Sequence, residues 1–391
     1  MAERYRILTL NGIAEAGLER LPRERYETAP ALNQPDAIIL RSANLHDVEI
    51  PPTVKAVARA GAGVNNIPVE AMTRRGVPVF NAPGANANAV KELVIAGMLL
   101  AARNIPQAWQ YARNLAGGGE EIHAAVEAGK KRFTGFELPG RTLGVIGLGA
   151  IGVQVANAAR DLGMRVMGFD PALTVERAWQ LSSDVQQASS LDELFSRSDI
   201  VTVHVPLVEA TRGIVDAPRI ARMPEGGVIL NFARDGIVDE DAVLQALGAG
   251  RLHAYVTDFP DGRLLQAEGV IALPHLGAST REAEENCAVM VADNLRDFLE
   301  HGNIRHAVNF PDVKLRRAEG SSRVAIANAN VPNMLGQVTT ALASANLNIL
   351  DMINQSRGDV AWTMVDVAGP VPAATVEAIR SIDGVLNVRA L

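Results

Sequence analysis

Two residues of this 391-residue chain open the reading of its chemistry, His275 and Arg234. His275 stands in Leu273-Pro274-His275-Leu276-Gly277-Ala278-Ser279, directly after an apolar run that reads as a strand. Imidazole is the side chain suited to reversible proton transfer near neutral pH. Arg234 follows another such run, in Asn231-Phe232-Ala233-Arg234-Asp235-Gly236, and its guanidinium can grip a carboxylate through two parallel hydrogen bonds while polarising the neighbouring oxygen. Singly, a histidine after a strand is more often structural and an arginine is more often a solvated charge. Their joint occurrence after strands, where ligands bind in open α/β sheets, points to a site.

A third feature supplies what those two would work on. Gly147-Leu148-Gly149-Ala150-Ile151-Gly152 follows one strand directly and opens a helix. In that context the first glycine permits a tight turn, the second lets backbone approach a pyrophosphate, and the third lets the helix pack on the strand. The helix N-terminus then offers unpaired amides to the anion. Asp170 closes the next strand, in Gly168-Phe169-Asp170-Pro171, at the separation expected of an acid that binds a ribose. A carboxylate there accepts from both adenosine ribose hydroxyls and repels a 2′-phosphate, so NAD is favoured over NADP. A dinucleotide, a base and a carboxylate anchor together imply hydride transfer from a secondary alcohol.

The elements that must position these residues follow from alternation. From residue 141 to 274, strand-like runs at 142–146, 165–169, 200–205, 227–232, 254–258 and 270–273 alternate with helical stretches such as 151–162, 191–197 and 240–247. That order predicts a parallel sheet with helices on both faces. Residues 1 to about 90 alternate as well, with strand-like runs at 7–10, 37–40, 56–59 and 77–80, which predicts a smaller α/β unit. Two apolar helices join the units, one over about 88–103 and one beginning at Ser279, where Ser279-Thr280-Arg281-Glu282 has capping-box spacing, and running to about His301. The expected division is a discontinuous substrate domain at 1–90 and 281–311 and a dinucleotide-binding domain at 91–280. A charged linker at 312–321 and a final domain at 322–391 complete it. That last stretch reads strand, helix, strand, strand, helix, strand, the βαββαβ order of a ferredoxin-like fold.

Composition narrows the partners. A hydrophobic fraction of 48% and a charged fraction of 21% are those of a globular protein, so disorder is not the default. The formal net charge of -7 argues against nucleic acid, which is bound through Lys and Arg, but leaves room for a small anionic substrate held by a local cationic cluster. Cys287 is the single cysteine, so no disulfide forms within the chain and no cysteine-based zinc cage exists; no metal site is predicted, and a reducing cytoplasm fits. The start, Met1-Ala2-Glu3-Arg4-Tyr5-Arg6, does not read as a signal peptide. The apolar stretch 93–102 is roughly half of what a bilayer span needs, so no membrane association is expected.

Gly147–Gly152 with Asp170, His204-Val205-Pro206-Leu207 with Thr211, Asn231-Phe232-Ala233-Arg234 and Pro274-His275 resemble, in order and approximate spacing, the D-isomer-specific 2-hydroxyacid dehydrogenases over residues 37 to 310. The resemblance implies a Rossmann-like doubly wound sheet inserted in a flavodoxin-like substrate domain, and NAD as cofactor. It implies His275 as acid/base and Arg234 as carboxylate anchor. Asp258 would lie near the nicotinamide carboxamide, and Gly147, Gly149, Ala150, Ile151, Gly152, Asp170, His204, Val205, Pro206, Thr211, Phe232, Ala233 and Gly277 would line the cofactor. The family usually has a glutamate shortly after the Asp258 position, paired with the histidine. Here the segment is the shortened Thr257-Asp258-Phe259-Pro260-Asp261-Gly262-Arg263, and Asp261 is the expected replacement.

Within the family, Asn81-Ala82-Pro83-Gly84-Ala85-Asn86, Val90 and Glu92 look most like the members that oxidise 3-phosphoglycerate to 3-phosphohydroxypyruvate with NAD, the opening step of serine biosynthesis. For that substrate the resemblance points to Arg41, to the backbone of Ala62, Gly63 and Val64, to Asn86 and Asn88, and to Lys131, with Lys130 and Arg132 beside it, reaching across a subunit interface. The second arginine often found two residues after the Arg41 position is Ala43, which keeps other D-2-hydroxy acids in view. A non-catalytic NAD-sensing regulator is the rival from another class. Residues 322–391 resemble an ACT domain, which implies a serine effector held by Asn328, Asn330 and Asn348, and pairing into a homodimer or homotetramer.

Overall fold

The buried parallel strands are built mostly from Val, Ile, Leu and Ala, as expected of strands covered on both faces. In the computed structural model, which describes residues 4–391, the strands form three sheets. The first holds β1 (Tyr5–Leu10), β2 (Tyr26–Ala29), β3 (Ala37–Leu40), β4 (Ala56–Arg59) and β5 (Val79–Phe80) in the order β2-β1-β3-β4-β5, all parallel. This is the flavodoxin-like order.

The second sheet holds β6 (Thr142–Ile146), β7 (Arg165–Phe169), β8 (Gln186–Gln187), β9 (Ile200–Val203), β10 (Gly227–Asn231), β11 (Leu252–Thr257) and β12 (Val270–Ala272). Their order is β12-β11-β10-β9-β6-β7-β8, again all parallel. The order reverses between β6 and β9, and that reversal opens the crevice in which a doubly wound sheet takes its ligand. One apolar layer, with Val94, Met98, Val153 and Ala156 on the strands' Val145 and Leu230, covers one face; a second, around Phe195, Ile220 and Val243, covers the other.

The third sheet is antiparallel, β14-β15-β13-β16, from β13 (Ser321–Ala329), β14 (Ile349–Arg357), β15 (Val360–Ala368) and β16 (Val385–Ala390). The helices Met334–Ser344 and Ala373–Arg380 pack on one face of it through Val338, Leu342 and Ile379. This is the ferredoxin-like βαββαβ arrangement.

Contacts divide the chain into two compact units, residues 1–86 with 281–391 and residues 87–280. The C-terminal sheet therefore groups with the first unit rather than standing apart. The reason is a shared core: Ala325, Ala327, Trp362 and Met364 from its second face join Phe80, Phe298, Leu299, Ile304 and Phe310. Residues 312–320, expected from their charges to be a linker, are packed as well. Val313 pairs with Ile304 as an isolated antiparallel bridge, and Asp312 accepts from the His306 amide at 2.8 Å. Val313 and Leu315 alternate with Lys314 and Arg316, an apolar-in, polar-out pattern that a charge count hides.

Arg323 seals this junction. Its side chain is fully buried, its guanidinium meets Asp366 through two bonds of 2.6 and 2.8 Å, and its Nη1 donates to the carbonyls of His301 and Leu315. Every strong group of the pair thus has a partner, the condition under which a buried ion pair is tolerated.

The helix expected from Ser279 runs over Arg281–His301, so the capping-box spacing from Ser279 to Glu282 is off by one residue. Two helices, Ile105–Arg113 and Gly119–Gly129, and the strands β2 and β8 were not expected. Met1–Glu3, part of the segment read against a signal peptide, lie outside the described residues. Among the described residues no helix is long and apolar enough to cross a membrane.

Candidate functional site

The glycine turn shows why each of its glycines is needed. Gly147 leaves β6 at φ +89, and a Cβ there would lie 2.6 Å from the His204 carbonyl oxygen. A Cβ on Gly152 would overlap the Gly147 carbonyl oxygen, so this glycine lets the helix Ala150–Asp161 seat against the turn. Around Gly149 nothing lies within 4 Å. Its open side leaves the backbone approachable at the head of the helix, where Ala150 and Ile151 form the first turn and an anion would be favoured.

Asp170, just past β7, braces the turn. Its Oδ2 accepts from the Leu148 amide at 2.8 Å and its Oδ1 from the Ala172 amide at 2.8 Å. Each oxygen keeps lone-pair capacity for a ribose hydroxyl. The residues present thus fit a dinucleotide with a free 2′-hydroxyl.

Past β9, His204 turns inward and its Nε2 meets the Thr202 hydroxyl at 3.0 Å, while Nδ1 is buried without a partner. Burial drops its pKa to about 3, so the imidazole is neutral. Val205 and Pro206 follow, and Thr211 ties the loop closed by donating to the Pro206 carbonyl and accepting from the Val208 amide. Phe232 does not face outward: its ring packs into the core against Gly97, where a Cβ would meet it at 2.9 Å, so only its backbone and Ala233 are available to a cofactor.

At the ends of β10, β11 and β12, adjacent in the sheet, stand Arg234, Asp258 and His275. Asn231, nearly inaccessible, shapes the Arg234 loop by donating to the Arg234 carbonyl at 2.9 Å and accepting from the Ala233 amide at 3.1 Å. Arg234 and His275 are exposed. Asp258 is buried, and neither of its carboxylate oxygens has a hydrogen-bond partner. Burial pushes its carboxyl up; the charges of His275 and Arg234 and the backbone amide of Gly277 pull it back.

Asp261, expected as the partner of His275, is placed elsewhere. Its Oδ1 accepts from the amides of Arg263 and Leu264 at 2.9 and 2.8 Å, and its Oδ2 pairs with Arg263 Nε at 2.8 Å. These bonds, those to Leu264 and Arg263 first, hold its carboxyl below the usual range. The aspartate before Gly262 thus folds back on the backbone amides that follow it, the ordinary use of Asp-Gly in a turn.

The first unit has a cationic edge of its own. Arg41, past β3, pairs with Glu284 at 2.7 Å and accepts through its carbonyl from Arg59 Nε at 3.0 Å. Burial pushes the Cys287 thiol up, and the charges of Arg41 and Arg59 pull it back. Arg59 was missed in the sequence, although Arg59-Ala60-Gly61 at the end of β4, directly before Ala62, Gly63 and Val64, was signal enough. Asn81 Nδ2 donates to the Ala62 carbonyl at 2.6 Å and fixes that loop. In the second unit Asn88 is engaged by Glu92 and Lys91, at 2.9 and 2.6 Å. Lys131 is exposed in the 3₁₀ turn Lys130–Phe133, with Lys130 paired to Glu127 and Arg132 lying over the rings of Tyr111 and Phe133.

In the C-terminal sheet a cavity of about 260 Å³ is lined by Asn328, Asn330, Asn333, Asn354 and Gly336 among others. A polar chain runs into it: Asn354 Nδ2 donates to the Thr363 hydroxyl at 2.7 Å, which donates to Asn328 Oδ1 at 3.0 Å. Asn348 is not among the lining residues, since it sits at the far end of β14, where its carbonyl accepts from the Ala368 amide; Asn354 takes its place.

Comparisons with known proteins give the chain a family. The sequence model of the family described as D-isomer specific 2-hydroxyacid dehydrogenase, NAD binding domain, matches residues 95–277. A D-3-phosphoglycerate dehydrogenase of Haemophilus influenzae is 35% identical over 356 residues, covering 88% of this chain and 83% of that protein. Those of Archaeoglobus fulgidus and Methanocaldococcus jannaschii are 38% and 37% identical, but the chain spans only 52% and 61% of their lengths. Among solved structures, an NAD+-bound 3-phosphoglycerate dehydrogenase of Entamoeba histolytica matches with a TM-score of 0.60 at 26% identity, over 78% of this chain and 99% of that one. The chain belongs to the D-isomer-specific 2-hydroxyacid dehydrogenase family, and it is an NAD-dependent dehydrogenase.

Proposed function

We propose that the protein oxidises 3-phospho-D-glycerate to 3-phosphohydroxypyruvate with NAD, the first step of serine biosynthesis. The observation that carries this reading is the row of Arg234, Asp258 and His275 at the ends of three neighbouring strands of the sheet that holds the glycine turn. Relatives bearing that activity in name add the substrate. Bound NAD supplies the hydride acceptor. Arg234 anchors the substrate carboxylate and polarises the adjoining oxygen. His275 takes the hydroxyl proton on its ring nitrogen, a contribution typically worth 10²–10⁴ in rate. Asp170 and the open face of Gly149 hold the ribose and the pyrophosphate.

Arg41 and Arg59 are the groups we assign to the substrate phosphate, with Lys131 as a further cation from a second subunit. The test is NADH formation with a panel of D-2-hydroxy acids. The expected result is a kcat/KM for 3-phosphoglycerate at least about 10²-fold above that for glycerate, the discrimination a site built for a charged group gives. Equal or better turnover of an unphosphorylated acid would overturn the substrate assignment. That second reading is favoured by Ala43 and by the engagement of Arg41 with Glu284.

We further assign the asparagine-lined cavity to an amino-acid effector, serine, through Asn328 and Asn330. A homodimer or homotetramer is supported by the exposed apolar side chains of Ile105, Trp109, Ile122 and Val126 on the helices Ile105–Arg113 and Gly119–Gly129. We place the protein in the cytoplasm, where a lone buried thiol stays reduced.

A further inference from the structure

The two arginines past β3 and β4 are held in different ways. Leu40 and Arg59 are paired in register across these parallel strands, so the chain leaves the sheet at two neighbouring points, once into Arg41 and once into Ala60-Gly61. Arg59 turns back across that gap. Its Nε donates to the Arg41 carbonyl at 3.0 Å, and its guanidinium lies against Gly61, where a Cβ would stand 2.5 Å from Nη1 and 3.1 Å from Cζ. A side chain at residue 61 would displace the guanidinium, so the glycine keeps open the place that Arg59 fills.

Arg41 is met by an acid instead. Glu284 stands in the first turn of the helix Arg281–His301, which packs on β4 with Cys287 and Ala288 buried in one core with Ala58 and Ala60. Its Oε1 reaches Arg41 Nη2 at 2.7 Å. The two side chains are 36% and 41% exposed, and a pair so placed adds little to stability. It does alter what the guanidinium offers to an incoming anion. A dianionic phosphate brought to Arg41 must displace the Glu284 carboxylate or bind beside a like charge, whereas an uncharged tail meets neither cost. Ala43, two residues after Arg41, adds no charge to offset the acid.

We infer that Glu284 is a specificity-determining residue: an internal carboxylate on Arg41 that holds down affinity for a phosphate-bearing substrate and leaves Arg59, seated on Gly61, as the cation that meets the phosphate. This rests on the assignment of Arg41 and Arg59 to the substrate's far end. Glu284 exchanges no proton or hydride with the substrate. Its effect therefore falls on binding, according to the charge of the tail, and not on the turnover of bound substrate.

The experiment compares wild type, Glu284→Gln, Glu284→Ala and Arg59→Ala, with thermal melts as a check on the fold. Glutamine keeps the length of the side chain and its acceptor for Arg41 while removing the charge. The ratio of kcat/KM for 3-phosphoglycerate over that for D-glycerate should rise about fivefold in Glu284→Gln, through KM for 3-phosphoglycerate. Calorimetric titration of the NADH-bound protein with inorganic phosphate should show Kd falling by the same factor, and Glu284→Ala should move both readings in the same direction. Arg59→Ala should raise KM for 3-phosphoglycerate at least about tenfold, as loss of a charge-assisted contact does. An unchanged ratio in Glu284→Gln, or an equal gain for both acids, would overturn the inference. So would a higher KM for 3-phosphoglycerate, which would make Glu284 a group that orients Arg41 for its substrate. If Arg59→Ala binds 3-phosphoglycerate and inorganic phosphate as the wild type does, the underlying assignment of the two cations fails instead, and the inference with it.

Discussion

At the scale of single residues, two glycines of one turn make opposite demands. Gly149→Ala places a methyl group in open space, so the melting temperature should hold while NADH affinity falls about tenfold or more, because the methyl group occupies the side the pyrophosphate approaches. Gly152→Ala places one on the Gly147 carbonyl, so both melting temperature and NADH affinity should fall. Fluorescence titration with NADH beside a thermal melt separates the two. His204 makes a pH prediction. Its folded-state pKa, about 3, lies below the ordinary value of 6.5, so the unfolded chain binds the extra proton between them. Stability that is full above pH 6.5 is then lost as pH falls towards 3, by up to about 1.4 kcal/mol per pH unit. Denaturant titrations across pH 4–7 should show a shallower loss in His204→Gln than in the wild type.

At the scale of elements, Asp170 joins the end of β7 to the turn after β6 through the Leu148 amide. Asp170→Ala should raise the NADP-to-NAD ratio of kcat/KM at least about tenfold, since it removes both a ribose acceptor and the charge that repels a 2′-phosphate. Unchanged preference would sink that account of Asp170. The strands that carry the site were legible because buried parallel strands are written mostly in Val, Ile, Leu and Ala. β2, Tyr-Glu-Thr-Ala, and β8, Gln-Gln, are edge strands without that signature, and nothing in their residues announced them. Asp261 shows a different limit. Spacing from a neighbouring motif says which residues are near along the chain, but an aspartate before glycine spends its oxygens on its own turn, and only geometry shows it. Arg59 shows the converse, a cation whose place beside Arg41 becomes visible once β3 and β4 are seen side by side.

At the scale of the molecule, the two expected α/β sheets and the antiparallel third are all present, and residues 281–311 were expected with the first sheet, while the apolar seam that joins residues 312–391 to them was not legible. The alternation of Val313 and Leu315 lay under a run of charges, and the inward face of β15 looked like any strand. Arg323 tests the seam. Arg323→Ala leaves Asp366 buried and unpaired and should destabilise by about 3–5 kcal/mol. Replacing both partners by apolar residues of similar volume should cost less than Arg323→Ala alone, read from denaturant midpoints of the three proteins.

The seam also has an optical consequence. Of the three tryptophans, Trp109 and Trp179 are 64% and 85% exposed, whereas Trp362 is 2% exposed, its indole N–H donating to the Gly302 carbonyl and its ring resting between Phe298 and Phe310. Iodide should therefore extinguish two emitters and spare a blue-shifted third. That remaining light comes from the contact between β15 and the helix Arg281–His301, so a Trp109→Phe, Trp179→Phe protein would glow from this contact alone and report, without any added label, the moment at which the C-terminal sheet lets go.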